Sequence, residues 1–188
     1  RHMQGHPVSY SQTTLTELMI PSYANFGGKI HGGILLSLMD KVAYVCASKH
    51  AGNYCVTVSV DNVNFLAPAE VGDLVSMIAS VNYVGRTSLV VGIRVIAETV
   101  QTGKTTHTNT SYFTMVAKGP DGKKAEIPPL ILEDAEEIRR FASALRRRRL
   151  RIFATERMEE YKANFTVDDD VRAFLADERC EIRLPEED

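Results

Sequence analysis

The feature that most constrains the fold is a single long apolar helix over residues 34–50. Nearly every residue in this stretch is compatible with a helix, and Gly52 is placed to end it. Such a helix needs apolar partners on most of its sides, and the rest of the chain must supply them. Its apolar residues are Ile34, Leu35, Leu36, Leu38, Met39, Val42, Ala43 and Val45.

The sequence on both sides of this helix predicts strands. Residues 11–20 partly alternate in polarity and stop at Pro21. Three longer strands are expected over residues 74–84, 87–99 and 105–118, because turns at Gly85-Arg86 and Thr102-Gly103 separate them and Pro120-Asp121-Gly122 ends the last.

A further strand should follow the helix directly. Val56, Val58 and Val60 alternate with polar residues, but the apolar set changes parity at Val63 and Phe65. Since a strand repeats every two residues, the change predicts a β-bulge near residues 61 and 62.

One strand, one helix and four more strands predict an α+β domain in which a long, curved antiparallel sheet of about five strands wraps the helix. We assign residues 11–132 to this domain and residues 1–10 to an N-terminal tail that begins with a cloning remnant, Arg1-His2-Met3. Residues 133–188 are expected to form a charged helical extension, with acids first and arginines later, the order that favours the helix dipole.

The segment before the helix carries two glycine pairs, Gly27-Gly28 and Gly32-Gly33. Glycines allow a ligand to approach the main chain closely. The backbone N–H groups around Gly33 stand at the helix start, where they are unpaired and lie at the positive end of the dipole. This position favours an anion, including an oxyanion that develops during a reaction.

Asp40 lies about two turns into the helix, on a narrow polar stripe. Helical stripes of this kind usually face water, and that is one interpretation. The other is that both flanks of the stripe pack against other structure, which would partly desolvate Asp40 and suit it to act as a general base. The stripe consists of Ser37, Asp40, Lys41, Tyr44 and Ser48.

The pattern Asn25-x-x-Gly28-x-x-His31-Gly32-Gly33, followed by Asp40, resembles the hotdog-fold acyl-CoA thioesterases. The resemblance is to the bacterial short- and medium-chain type that is related to the brain acyl-CoA hydrolases, and it covers residues 13–132. Three later segments also resemble that family: Ser59-Val60-Asp61 leading to Phe65, Tyr83-Val84-Gly85-Arg86-Thr87-Ser88, and His107-Thr108-Asn109 leading to Tyr112-Phe113-Thr114-Met115-Val116-Ala117.

The resemblance implies hydrolysis of an acyl-CoA thioester. Asp40 would act as general base or as nucleophile, Asn25 would orient the water or the thioester, and the Gly33 N–H would donate to the oxyanion. It also implies that Asn25 of one subunit faces Asp40 of the other in a homodimer, and that dimers assemble as a trimer of dimers, which makes a hexamer. Without the resemblance, Asn25 is better explained as a residue that stabilises the turn before the glycines.

Coenzyme A contacts are expected at the hairpin Gly85-Arg86-Thr87-Ser88, which offers a cation, two hydroxyls and backbone N–H groups. The alternative is a plain hairpin with a solvated arginine. His31 and Gly32 are assigned to the same substrate site. His31 could be taken for a general base, but the family pattern gives that role to the acid, which favours a structural role in which His31 shapes the turn by hydrogen bonds to backbone. His107 and Asn109 are weaker candidates.

Other chemistries find little support in the sequence. Ser37 and Cys46 are potential nucleophiles, but neither lies in a nucleophile-elbow motif. No metal-ligand cluster and no phosphate-binding loop is readable, so we expect no metal and no cofactor other than the coenzyme A of the substrate.

Charge, hydropathy and cysteine content indicate which partners and which cellular compartment to expect. The net charge is +5 through Thr155 and −7 from Glu156 onward, so the tail opposes binding to a nucleic acid. No apolar run approaches the roughly 20 residues of a membrane span. Since Cys46, Cys55 and Cys180 form no close pair, we expect free thiols and a cytoplasmic protein.

Three competing functions remain open at this point. A hotdog dehydratase or hydratase would need an acid and a base over the acyl chain, which fits Asn25 and Asp40 less well than hydrolysis does. An acyl-CoA sensor without catalysis is the principal alternative. A nucleic-acid binder would use the arginines at 146–149 and 151, but no helix-turn-helix segment is readable.

Overall fold

The computed structural model describes residues 3–65 and 67–185, and in them it confirms the predicted α+β architecture. An antiparallel sheet has the strand order β2-β4-β5-β6-β3, and the helix α2, Gly32–Ala51, packs on one of its faces. The strands are β2 Thr13–Leu18, β3 Tyr54–Asp61, β4 Asp73–Val84, β5 Ser88–Thr99 and β6 Lys104–Lys118.

The core lies between α2 and the sheet. Met39, Val42 and Cys46 of α2 are fully buried against side chains such as Phe113 and Met115 of β6. Removal of this apolar area from water is the main force that holds the helix on the sheet. The helix ends as predicted, because Gly52 adopts a left-handed φ of 67° and its N–H donates to the Ser48 carbonyl at 2.9 Å.

The N-terminal segment contains more structure than a tail. His6–Pro7 forms a short strand, β1, that pairs in parallel with β7, Leu130–Ile131, and the helical turn α1, Val8–Ser11, follows it directly. Val8 and Ser11 are buried, so the first long strand begins at Thr13 rather than at residue 11. A two-residue strand shows no polarity period, which is why the sequence did not reveal it.

The bulge in β3 lies earlier than predicted. The pairing of β3 with β6 shifts between Thr57 and Ser59, so Val58 is the extra residue and is exposed. As a result Thr57, opposite Met115, and Val60, opposite Phe113, face the same side of the sheet. At residue 62, where the bulge was expected, the strand has already ended.

The chain divides into two compact units between Arg146 and Arg147, and not at residue 132. The helix α3 runs from Ala135 to Ala163, and its first turns belong to the first unit, where Phe141 lies against Tyr83 with ring centroids 5.0 Å apart. The second unit contains the rest of α3 and the helix α4, Asp169–Leu175. Within the described residues, no helix combines the length and the apolarity that a membrane crossing requires.

Candidate active site

The clearest polar contact on the central helix joins Asp40 to Thr57. The Thr57 hydroxyl donates a hydrogen bond of 2.7 Å to Oδ1 of Asp40. Both residues are exposed in the single chain. Thr57 pairs with the buried Met115 and therefore lies on the face that α2 covers, which brings the two side chains together, and the bulge at Val58 then returns Val60 to the same face.

Sequence reasoning missed Thr57. The regular spacing of Val56, Val58 and Val60 suggested one uninterrupted strand up to Asp61, in which Thr57 was simply the polar alternate. Only the pairing with β6 shows that Thr57 faces the helix.

Asp40 and Thr57 open into a groove between α2 and the edge strand β3, with a volume of about 530 Å³. Tyr44, Val45 and Tyr54 form its walls, and their exposed apolar surface lies beside the carboxylate. Ser37, Lys41 and Tyr44 of the polar stripe are also exposed. In a single chain this part of the stripe, from Ser37 to Tyr44, therefore faces solvent, whereas the Ser48 hydroxyl is buried.

The helix start differs from the expectation in one respect. The Gly33 N–H, predicted to be unpaired, donates to Nδ1 of His31 at 2.9 Å. His31 is the N-cap residue of α2, and its ring lies so close that a Cβ on Gly33 would come within 2.7 Å of it. The expectation of a free donor is therefore wrong, and His31 occupies the turn-shaping position that was its other interpretation.

Asn25 closes the loop that precedes the helix. Its Oδ1 accepts hydrogen bonds from the N–H groups of Gly27, at 2.9 Å, and Lys29, at 3.2 Å. Lys29 forms an ion pair with Glu70 that fixes the loop to the neighbouring segment. Within one chain Asn25 thus performs the turn-stabilising role. The adjacent Phe26 is fully exposed.

The single chain does not join the predicted catalytic residues to one another. In the part of the chain that the structure describes, Asp40 bonds to Thr57 and Asn25 to its own loop. Gly33 bonds to His31. A site that uses all three residues needs rearrangement or a second chain.

The predicted coenzyme A hairpin forms the turn between β4 and β5. Gly85 N–H donates to the Ser88 carbonyl at 2.8 Å, and Arg86 is exposed. In the sheet register Ser88 pairs with Val116, and Val116 pairs with Val56 beside Thr57. Since strands lie about 4.8 Å apart, the turn is about 10 Å from Thr57 across the sheet.

The remaining thiol and metal possibilities have little structural support. Cys46 is fully buried, and this burial raises the pKa of its thiol to about 11, although a hydrogen bond to Ser11 acts in the opposite direction. It is therefore a protonated core residue rather than a nucleophile. Residues 3–65 and 67–185 contain no group of three or more His, Cys, Asp or Glu arranged to hold a metal ion.

Comparison with known proteins agrees with this geometry. A model of the thioesterase superfamily matches residues 27–104. VdlD of Helicobacter pylori is 47% identical over 137 residues, which cover 73% of this chain and 78% of VdlD. The acyl-CoA thioester hydrolase YkhA of Bacillus subtilis is 34% identical over 137 residues, covering 73% and 80%.

Solved structures similar to this chain also include acyl-CoA thioesterases. A hexameric acyl-CoA thioesterase superposes with a TM-score of 0.76 at 35% identity, covering 81% of this chain and 98% of its own. The acyl-CoA hydrolase of Staphylococcus aureus, solved with butyryl-CoA, CoA and CoA disulfide, superposes with a TM-score of 0.74 at 31% identity, covering 85% and 99%. The chain belongs to the hotdog-fold acyl-CoA thioesterases, a family of thioester hydrolases. The resemblance read from the sequence is thereby confirmed.

Variants of the Staphylococcus aureus enzyme have also been solved. In three of them alanine replaces an asparagine, an aspartate or a threonine. The positions of these three residues in that enzyme are separated by 15 and 17 residues.

Proposed function

We propose that this protein hydrolyses the thioester of acyl-CoA, releasing a free carboxylic acid and coenzyme A, and that Asp40 and Thr57 form the reactive pair. One observation carries the assignment. Asn25, Asp40 and Thr57 are separated by 15 and 17 residues, the spacing of the asparagine, aspartate and threonine replaced in the Staphylococcus aureus enzyme. The contact between Thr57 and Asp40 supports their acting together.

In the proposed hydrolysis the Asp40 carboxylate activates the attacking water. Thr57 holds Oδ1 of Asp40, which leaves Oδ2 to accept a proton from water as the water oxygen attacks the carbonyl carbon. Collapse of the tetrahedral intermediate breaks the C–S bond, and the proton on Asp40 passes to the departing thiolate. Direct attack by the carboxylate, through an anhydride that water then hydrolyses, uses the same residues, and both routes stay open.

The helix start would stabilise the oxyanion. A donor of this type contributes about 3 kcal/mol in other hydrolases. In this chain the Gly33 N–H becomes available only when the His31 ring moves off it, so substrate binding would displace the N-cap. Gly32 lies in the same turn and would contact the thioester.

We propose further that a second copy of the chain completes each site, with Asn25 of one copy facing Asp40 of the other. Three features support this arrangement: the groove beside Asp40 is open, β3 is an edge strand, and Phe26 next to Asn25 is fully exposed. A trimer of such dimers is proposed by analogy with the hexameric relative.

The hairpin Gly85-Arg86-Thr87-Ser88 is proposed to bind the coenzyme A part of the substrate. Its position about 10 Å from Thr57 suits the long pantetheine arm, and the exposed Arg86 would pair with a phosphate. No other cofactor is required by the reaction. The cytoplasmic location stays a prediction.

The test is thiol release from a series of acyl-CoA chain lengths by the wild type, by Asp40→Asn and by the control Glu98→Gln. Glu98 lies at the opposite end of β5 from the hairpin and pairs with Thr105. We expect Asp40→Asn to lower kcat by orders of magnitude while coenzyme A still binds, and Glu98→Gln to behave as wild type. A wild type that binds acyl-CoA but releases no thiol would make the protein an acyl-CoA sensor.

Complementation tests the shared site. Asn25→Ala and Asp40→Asn would each be inactive, but random mixing in a two-fold dimer recreates one intact site in each mixed dimer. The mixture should recover about a quarter of the wild-type activity. Recovery near zero, with mixed dimers shown to form, would place Asn25 and Asp40 in the same subunit's site.

A further inference from the structure

A chain of hydrogen-bonded polar groups, two of them buried, lies at the point where β3 leaves the sheet. The Ser111 hydroxyl donates to the carbonyl oxygen of Asn62 at 3.1 Å, and Nδ2 of Asn109 donates to the Ser111 oxygen at 2.8 Å. Ser111 is fully buried and Asn109 nearly so. We refer to these three residues as the strand-end anchor.

The register explains why the anchor is needed. Asp61 and Tyr112 form the last pair of β3 with β6, and the next residue on β6 is Ser111. The Ser111 side chain therefore supplies the hydrogen bond to Asn62 where the regular ladder has stopped. Because the buried Ser111 hydroxyl needs a partner, its bonds to Asn62 and Asn109 favour one arrangement of these residues.

The backbone at Asn62 is unusual. Its φ of 60° lies in the left-handed region, and it is the one non-glycine residue with a positive φ among those the structure describes. Asparagine tolerates the left-handed region better than most residues, but non-glycine residues seldom adopt it. The hydrogen bond from Ser111 to the Asn62 carbonyl thus lies at the residue where the backbone takes this conformation.

The segment after this change of direction reaches the start of the central helix. Three residues beyond Asn62, the Phe65 ring lies 3.3 Å from the position that a Cβ on Gly32 would occupy. Gly32 is the first residue of α2 and precedes Gly33, whose N–H is the proposed oxyanion donor. Five residues before Asn62 stands Thr57, the partner of Asp40. Along the chain, Asn62 of the anchor therefore lies between Thr57, the partner of Asp40, and Phe65, which contacts the helix start.

We propose that Ser111, supported by Asn109, is a positioning residue for the thioesterase site. It holds Phe65 over Gly32 and thereby sets the orientation of the helix-start N–H groups. The inference rests on the proposed function, but neither Ser111 nor Asn109 contacts the thioester in this scheme. Since oxyanion stabilisation acts mainly in the transition state, a displaced helix start should lower kcat more than it changes KM.

The test compares Ser111→Ala with Thr108→Val. Thr108 is a matched control because it is also buried on β6 and its hydroxyl also donates to a backbone carbonyl, that of Val95, at 3.3 Å. Its bond lies within the ladder of β5 and β6 and does not touch the segment after Asn62. Ser111→Ala should lower kcat between about tenfold and a hundredfold, the range for small misplacements of reacting groups, with KM little changed. Thr108→Val should leave both parameters near wild type.

Two further measurements identify the route of the effect. If Ser111 acts through Phe65, the double variant Ser111→Ala, Phe65→Ala should lose no more kcat than the larger single loss, whereas independent effects would multiply. Hydrogen exchange at the amides of residues 32–35 should be faster in Ser111→Ala and unchanged in Thr108→Val.

The possible outcomes separate this inference from the proposed function. Unchanged kcat and exchange in a folded Ser111→Ala protein, or multiplicative losses in the double variant, would overturn the positioning role while thioesterase activity stands. An inactive wild type would remove the proposed function instead. The exchange data would then decide by themselves whether the anchor orders the helix start.

Discussion

Thr57 Oγ1 lies 2.7 Å from Asp40 Oδ1, and this hydrogen bond ties the edge strand β3 to the middle of the central helix. It links residues 17 positions apart and orients the carboxylate toward the groove beside it. A hydroxyl that donates to one carboxylate oxygen restricts the rotation of the group and leaves the other oxygen for chemistry. The pair is therefore the most specific structural basis for the proposed hydrolysis.

Replacing Thr57 by valine tests this pair. Valine keeps the shape of threonine but cannot donate, so the carboxylate would lose its orientation while the strand stays intact. We expect kcat/KM for acyl-CoA to fall by between about tenfold and a hundredfold, because a hydrogen bond to a charged group contributes about 1.5–3 kcal/mol. Thr57→Ser, which retains the hydroxyl, should recover most of the activity. Equal activity of the valine and serine variants would show that the hydroxyl has no catalytic role.

The N-cap at His31 gives a prediction about stability. In His31→Ala the Gly33 N–H loses its acceptor, and loss of a cap typically costs about 0.5–2 kcal/mol. Thermal unfolding should therefore shift to lower temperature, and His31→Asn, whose side chain can cap the helix, should restore most of the loss. If alanine and asparagine gave the same Tm, the contact between His31 and Gly33 would contribute nothing to stability.

The parts of the fold that the sequence predicted depend on local signals. The central helix follows from its apolar residues and from Gly52, whose left-handed φ of 67° suits a helix end. The long strands follow from their composition and from the turns between them. The family could be recognised because its motifs surround the helix start, which also indicated Asp40.

The parts that the sequence did not predict depend on pairing between distant segments. The bulge at Val58 and the helix-facing side of Thr57 both depend on the register of β3 on β6, which no local pattern shows. The pairing of His6–Pro7 with Leu130–Ile131 is likewise a contact between the two ends of the domain. The hydrogen bond of His31 to backbone was expected, but its position as N-cap was not, because the residues preferred there are Ser, Thr, Asp and Asn.

A close approach inside the sheet predicts that a side chain at Gly92 destabilises the fold. A Cβ at this position would come within 2.3 Å of Nδ2 of Asn82, which is buried at the bulge between Val81 and Tyr83. Gly92→Ala should lower the free energy of unfolding by about 1–3 kcal/mol, the usual range for overpacking. Adding Asn82→Ala should relieve the clash, so chemical denaturation of the double variant should show a smaller loss than the two single losses combined. Strict additivity would mean that Asn82 is not the obstacle.

His50 gives a prediction about pH. Its ring is fully buried on α2, and Nε2 donates to the Pro128 carbonyl at 2.8 Å, while Nδ1 has no partner among the described residues. Burial lowers the pKa of His50 because the charged form is poorly solvated, and the nearby His6 lowers this pKa further, although the bond to Pro128 acts in the opposite direction.

This lowered pKa makes acid destabilise the fold. Between the pKa of His50 in the folded chain and the value of about 6.5 in the unfolded chain, the unfolded state binds more protons, so the free energy of unfolding falls as the pH drops below about 6.5. One such group contributes a slope of up to about 1.4 kcal/mol per pH unit in that window.

The Tm of the wild type, measured from pH 7.5 to 5, should therefore drop more than that of His50→Gln, which has no titratable ring and keeps a donor for Pro128. The control variant His107→Gln, changed at an exposed position, should show the same drop in Tm as the wild type. Parallel curves for wild type and His50→Gln would assign the acid sensitivity to other groups.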